Sequence, residues 1–266
     1  MSNRLFSLAG RVAVVSGAAG GMGRATSLAL AEQGADLLLA DLNPERLAQT
    51  ARMIVELGRR AIPVTCDVSN PERIAELFVT LDREFGRIDF LANIAGEGLL
   101  VRPEDVTADQ LQQVFQNLVF GRFRMCQEAG RRMLAAGRGS ILNIGSLASV
   151  TALGRGHIVY SMAMGAVVQM TRELSTEWAS RGVRVNAILP AQVNNPGIEK
   201  RIAADPTIQQ TWLSGIPAGR LGQPADIQGL AVLLASDASS WITGAIIPMD
   251  GGNLAMNAGG TIGGTA

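Results

Sequence analysis

Short, mostly apolar runs alternate with longer amphipathic stretches along the whole chain. The runs at residues 12–15, 37–40, 61–66, 88–91, 140–144 and 184–189 are too short for helices and suit strands buried on both faces of a parallel sheet. The stretches between them read as helices. One covers 24–33. Pro44 opens a second that Gly58 stops, and a third begins near Pro71. A long one spans 109–136 and is closed by Gly137, another runs from near Tyr160 to Ala179, and a last one follows Pro224 to Ala235. Regular strand–helix alternation predicts an α/β fold, a doubly wound parallel sheet flanked by helices on both faces. The 266 residues suffice for one such domain over 1–252, followed by a Gly/Ala-rich tail over 253–266. No internal repeat or second domain is evident.

The first crossover adds chemistry to this pattern. Residues 12–15 run into Ser16-Gly17-Ala18-Ala19-Gly20-Gly21-Met22-Gly23, and the second run ends on Asp41. Strand, glycine-rich turn, helix, strand and acid is the order a dinucleotide site requires. Glycines let backbone N–H groups approach a pyrophosphate, the helix N-terminus adds positive potential, and the acid accepts hydrogen bonds from ribose hydroxyls. An ordinary tight βα turn is the competing reading, because the chain holds 31 glycines.

Spacing and later residues decide between these. Ser16 with Gly17, Gly21 and Gly23 resembles the T-G-x-x-x-G-x-G signature of the short-chain dehydrogenase/reductase family, which has a Rossmann-type fold. Asn93-Ile94-Ala95-Gly96 resembles its N-N-A-G motif, with Ile94 for the second Asn. Ser236-Asp237 to Gly244 and Asp250-Gly251-Gly252 resemble its C-terminal patterns. The resemblance spans residues 8–252. It implies NAD held by Gly17, Gly21, Met22, Gly23, Asp41, Leu42, Asp67, Val68, Asn93, Ala95, Gly96, Tyr160, Pro190, Val193 and Asn195. Asp67 would meet the adenine amino group; alternatively, Asp67 or Ser69 caps the helix at Pro71. Val193 would offer backbone groups to the carboxamide, and Asn195, where a Thr is usual, a phosphate or carboxamide contact. NAD is preferred to NADP because Asp41 repels a 2′-phosphate, Leu42 carries no charge, and Gly20 stands where phosphate-binding relatives often have a basic residue.

The same resemblance implies proton transfer by Tyr160, orientation of the reacting oxygen by Ser146 (Ser149 being a weaker candidate), and a relay water held where Asn117 bulges the long helix. Asn117 as a surface residue is the alternative. Ser146 and Tyr160 are about one residue further apart than is usual, which predicts a small loop insertion. Glu97, Ser146, Arg155, His157 and Gln192 are candidates for binding a polar substrate such as a sugar or polyol, although Glu97, Arg155 and His157 also read as solvated loop residues. Residues 196–219 read as a lid. Tetramers are usual in the family, and the tail could lie across a neighbouring subunit.

One motif is incomplete. The family pattern Y-x-x-x-K appears as Tyr160-Ser161-Met162-Ala163-Met164. Residues i and i+4 share a helix face, so residue 164 points as Tyr160 does. A charge ~5 Å from the phenol at an effective dielectric of ~20 favours tyrosinate by roughly 3 kcal/mol, about a hundredfold. Met164 supplies neither charge nor donor, and Lys200, the single lysine, belongs to a different loop. Three explanations follow: an inactivating replacement, an enzyme that is slow or uses another proton path, or a non-catalytic protein that senses the NAD pool.

Composition narrows the remaining classes. Net charge is zero and the pI about 6.6, so neither nucleic acid nor an anionic membrane is favoured as a partner. The first residues lack a signal-peptide core, and two cysteines give no disulfide framework, which together point to the cytoplasm. A lone histidine, His157, excludes His-cluster metal sites and argues against a Ser-His-Asp hydrolase, so no metal is expected. The reading is thus an NAD-dependent oxidoreductase acting on a secondary alcohol or ketone.

Overall fold

A computed structural model describes residues 4–256, so most of the predicted tail lies outside the described residues. The elements follow the hydropathic pattern: β1 (Val12–Ser16), α1 (Gly21–Glu32), β2 (Asp36–Asp41), α2 (Pro44–Glu56), β3 (Ala61–Thr65), α3 (Pro71–Glu84) and β4 (Phe90–Asn93). Then come α4 (Ala108–Phe115), α5 (Gly121–Ala136), β5 (Gly139–Ile144), α6 (Ile158–Trp178), β6 (Val183–Pro190), α7 (Pro196–Ala204), α8 (Thr207–Leu213), α9 (Gln228–Ala235) and β7 (Ile246–Met249). The strands form one parallel seven-stranded sheet in the order β3-β2-β1-β4-β5-β6-β7.

Successive strand side chains point to opposite faces, and both faces are apolar, as the near-continuous runs require. Ala13, Val15, Leu37, Leu39, Leu142 and Ile188 face a core shared with Leu30, Leu47, Ile54 and Leu234 of α1, α2 and α9. Val12, Val14, Leu38, Leu91, Ile141 and Val185 face the other, with Leu77 and Phe78 of α3 and Met125 and Met133 of α5. Among the described residues no helix is long and apolar enough to cross a membrane.

Three departures from the sequence reading bear on the site. The first helix begins at Gly21 rather than residue 24, so the last glycines of the turn are already helical. The expected helix over 109–136 is two helices joined by one turn of π-helix, Gln116–Phe120, containing Asn117. Such a turn inserts an extra residue and re-aims side chains. The expected lid is not plain loop: α7 and α8 fold over their own apolar cluster of Trp212, Ile216 and Leu221, with Ile198 and Ile202 packed against it.

Candidate active site

The candidate residues leave from the C-terminal ends of the strands. β1 and β4 are neighbours there although β2 and β3 intervene in sequence, and such a reversal of strand order opens a crevice. Gly17 follows β1 with φ +74°, and a Cβ on it would stand 2.9 Å from the Ala95 nitrogen. A Cβ on Gly23 would collide with the Gly17 carbonyl oxygen, so glycine is what allows α1 to pack this closely on the turn. Ser16 completes the junction: its Oγ accepts hydrogen bonds from the backbone N–H groups of Ile94 (3.0 Å) and Ala95 (3.2 Å), tying β1 to the exit of β4.

Asn43, Asn70, Thr107 and Asn195 cap α2, α3, α4 and α7 with their side chains. The N-cap of α1 is Gly20, which provides no such bond, and no atom lies within 4 Å of a Cβ placed on Gly21. The first N–H groups of α1 therefore carry no side-chain cap, and their positive potential fits a pyrophosphate. Asp41, at the tip of β2, accepts from the Ala19 N–H and from the Asn43 N–H, both at 3.0 Å, which fixes its carboxylate beside the turn. A residue absent from the sequence reading enters here: the guanidinium of Arg46, from the first turn of α2, occupies the space a side chain on Gly20 would take.

Further along the crevice, Asp67 accepts from the N–H (2.8 Å) and hydroxyl (2.7 Å) of Ser69. The cap of α3 is Asn70, which accepts from Glu72 and Arg73, and this corrects the expectation that Asp67 or Ser69 caps that helix. The Val68 carbonyl presses against Gly121 of α5, where a Cβ would collide with it. Asn93 turns its side chain into the core: its amide donates to Asn143 (3.0 Å), whose own amide donates to Thr171 (3.0 Å). Only its backbone, with Ala95 and Gly96, borders the crevice.

The corner around Tyr160, the candidate for proton transfer, forms where α5, α6 and the segment 95–98 meet. Asn117 accepts from the Glu97 N–H (3.2 Å), and its Oδ1 lies 3.0 Å from where a Cβ on Gly96 would be. The π-helical turn thus docks Asn117 on this segment. Gly98 is held beneath the Tyr160 ring, which a Cβ there would strike. Ser146, at the end of β5, is 8% exposed and accepts from the Ala148 N–H (3.2 Å); the turn Leu147–Ser149 packs against α6. Ser149 accepts from the Ser146 N–H (3.2 Å) and so serves as a brace. Met164 is fully buried among Val114, Leu118, Val159 and Val167. Lys200 is exposed on α7.

Sequence reasoning missed Arg122. It is 4% exposed, in the first turn of α5. Its guanidinium donates to the Ile144 carbonyl at the end of β5 and to the Ala95 carbonyl beyond β4 (3.1 Å), while Nε is buried without a partner. Burial pushes its pKa down to about 10, opposed by the nearby Tyr160 and Cys126, so it stays charged at neutral pH. Cys126 and Cys66 are buried free thiols, pushed by desolvation up to about 12 and 11.

The mouth is made by the segment before α6 and by the lid. Gly154, Arg155 and Gly156 all have positive φ, Arg155 (φ +54°) being the single non-glycine among the described residues to do so. That conformation costs a non-glycine residue of order 1 kcal/mol. His157 sits 6.3 Å, ring to ring, from Tyr160 and bonds the Gly154 carbonyl through Nδ1 (2.7 Å); burial lowers its pKa, with Arg155 and Arg201 adding to the effect, so it is neutral at pH 7. Burial, then the neighbouring Arg201, also lowers the pKa of Arg155. Glu97 is exposed. Gln192 lies just past Pro190, and its Oε1 is buried without a partner, as fits a carboxamide ligand. The strand-like bridge Val193–Gly222 staples this segment to the base of the lid. Asn195 uses both ends of its amide internally, capping α7 at Ile198 (3.0 Å) and donating to the Val193 carbonyl (2.9 Å).

A cavity of about 770 Å³ opens at the opposite, N-terminal edge of the sheet. Arg11 and Arg87 there are paired with Asp237 and Asp89, and none of the candidate residues reaches it.

A family model described as enoyl-(acyl carrier protein) reductase matches residues 17–253. The chain is 36% identical to the NAD-dependent glycerol dehydrogenase of Listeria innocua, over 93% of this chain and 95% of that protein. It is 38% identical to the 2-dehydro-3-deoxy-D-gluconate 5-dehydrogenase of Bacillus subtilis, over 93% and 96%. Among solved structures, a gluconate 5-dehydrogenase from Burkholderia cenocepacia in complex with NADP and tartrate superposes with a TM-score of 0.89 at 29% identity, covering 95% of this chain and 98% of that one.

Proposed function

The chain belongs to the short-chain dehydrogenase/reductase family, and on that premise we propose how its residues carry out the chemistry. It is an NAD(P)-dependent oxidoreductase that interconverts an alcohol and a ketone; the relatives are named as dehydrogenases, which disfavours the non-catalytic alternative. When bound, the nicotinamide exchanges hydride with the carbinol carbon. Gly17, Gly21, Met22 and Gly23 with the α1 N-terminus hold the pyrophosphate, Asp41 and Leu42 flank the adenosine ribose, and Asp67 and Val68 flank the adenine. The backbone of Asn93, Ala95 and Gly96 supports the middle of the cofactor, and Pro190, Gln192, Val193 and Asn195 frame its carboxamide end. Tyr160 removes or returns the hydroxyl proton, Ser146 orients the oxygen, and Asn117 fixes the segment on which Tyr160 rests.

The observation that carries this reading is the uncapped α1 N-terminus opening on the same crevice as the chain's one phenol. We propose NAD as the preferred cofactor, because Asp41 is held beside the turn with its charge exposed to any 2′-phosphate. Arg46 over Gly20 supports a second reading, in which NADP is also accepted. For the substrate we propose a polyol or sugar, bound through Glu97, Arg155, His157 and Gln192. Arg201, close enough to Arg155 to lower its pKa further after burial, marks positive charge at the mouth and favours members that carry a carboxylate. We further propose a homotetramer in the cytoplasm. Its support is an exposed apolar groove lined by Val119, Phe120, Phe123, Met170 and Leu174, together with two unpaired cysteines; size-exclusion chromatography with light scattering tests the assembly. The function is tested by following reduced nicotinamide while the protein meets NAD or NADP and a panel of polyols, sugars and sugar acids. Turnover on at least one member is expected, and cofactor binding without turnover on any would overturn the reading.

A further inference from the structure

Burying a guanidinium with no counter-ion is strongly unfavourable, so such groups are normally paired. Arg122 breaks that rule. Its acceptors are two neutral carbonyls, Ala95 and Ile144, and among the described residues no carboxylate forms an ion pair with it. Cys126, one turn further along α5, is kept as a neutral thiol by its burial. The carbonyls belong to the exits of β4 and β5, the two strands that bound the crevice at the proton-transfer corner. Arg122 Nη2 lies 3.3 Å from a Cβ position on Gly96, and two residues on, Gly98 lies beneath the Tyr160 ring. Arg122 and Tyr160 therefore grip one short segment from two helices. Of the other groups at this corner, Met164 is apolar and buried, His157 is neutral at pH 7 and Glu97 is an exposed acid, while Arg155 and Arg201 act on His157 at the mouth.

We propose that Arg122 supplies, from α5, the fixed positive charge that favours ionised Tyr160, so that the chain retains a charged proton-transfer pair with methionine at position 164. This rests on the reading of Tyr160 as the proton-transfer group. Arg122 acts through Tyr160 and is a positioning residue. The electrostatic coupling of the two side chains supports the arrangement. A guanidinium suits the task because it remains protonated at neutral pH despite its burial, and its planar fork holds the two carbonyls on the segment that Tyr160 also touches.

Tyr160 is the chain's only tyrosine, so the ultraviolet difference spectrum of tyrosinate titrates it in the intact protein, without substrate or cofactor. In Arg122→Gln, which keeps an amide donor for one carbonyl, the ionisation midpoint is expected to rise by about one to two pH units. Arg122→Lys should hold the midpoint near that of the parent, and Arg122→Gln combined with Met164→Lys should bring it back down. An unchanged midpoint in folded Arg122→Gln overturns the proposal. If Arg122→Gln does not fold, Arg122→Met is titrated in its place with the same two outcomes. Activity on the alcohol panel is read separately. Loss at neutral pH that recovers as pH rises supports the proposal. A moved midpoint with no turnover in any protein would sink the reading of Tyr160 and leave the charge pairing intact.

Discussion

The glycine turn and the corner around Tyr160 sit at the same edge of the sheet but are built differently. Between Ser16 and Asp41 each residue works through its immediate neighbourhood: a left-handed glycine, a helix packed on its own turn, an acid bonded to that turn. The corner assembles Gly98, Asn117, Arg122, Ser146 and Tyr160 from separate segments, with Gly96 and Gly98 as tightly approached as the glycines of the turn. At Gly17 and Gly23 the turn tolerates almost no added volume. On our proposal, the corner tolerates a change of residue at position 164 because another element supplies the charge.

The largest effect should come from the corner. Tyr160→Phe removes the proposed proton-transfer group and is expected to lower kcat by about 10²–10⁴-fold with little change in cofactor binding, measured by steady-state kinetics beside fluorescence titration of NAD. In the turn, Gly23→Ala places a Cβ against the Gly17 carbonyl. We expect a loss of about 1–3 kcal/mol in denaturant unfolding and a weakened cofactor Kd, with kcat at saturation less affected. Shape and charge would thereby separate, Kd in one region and kcat in the other, and a Gly23→Ala protein with the parent's Kd would break the contrast.

Smaller effects sharpen it. Asp41→Ser should raise kcat/KM for NADP relative to NAD by about tenfold or more, and Arg46→Ala in that background should cancel the gain, if Arg46 stands in for a side chain on Gly20. Arg155→Ala should raise KM about tenfold for a sugar acid and much less for a neutral polyol. Smallest of all, Met164→Lys alone should change kcat by less than about threefold, because it adds a second cation to a pocket that already holds Arg122. A hundredfold gain would mean instead that the corner lacks a charge.

The same contrast explains what could be read from the chain. Parallel topology, the first six strands and the glycine turn follow from apolar periodicity and local spacing, and these agree with the structure, while the seventh strand comes only with the family's C-terminal pattern. So does Asn117 as the site of a helix irregularity. Side-chain direction was less accessible. Asn93 belongs to a strand end whose backbone borders the crevice, yet its amide pairs with Asn143 inside the core, and Asn195 spends its amide on the lid. Both are partner choices made across the fold. Arg46 and Arg122 were hidden for a related reason. In a chain where arginine carries nearly all the positive charge, one more arginine on an amphipathic helix reads as solvated surface. For Arg122 the available signal was its place immediately after Gly121, where α5 touches the Val68 carbonyl and little room remains for a side chain to reach water.

The central claim is that this crevice completes hydride and proton transfer through Tyr160 with methionine at position 164. Single-turnover formation of reduced nicotinamide, with the parent and Tyr160→Phe proteins each saturated with cofactor and an alcohol from the panel, tests it most directly. The account predicts a rapid rise in the parent that falls by at least about a hundredfold in Tyr160→Phe. Equal rates in the two proteins, or no rise in either while cofactor remains bound, would contradict it.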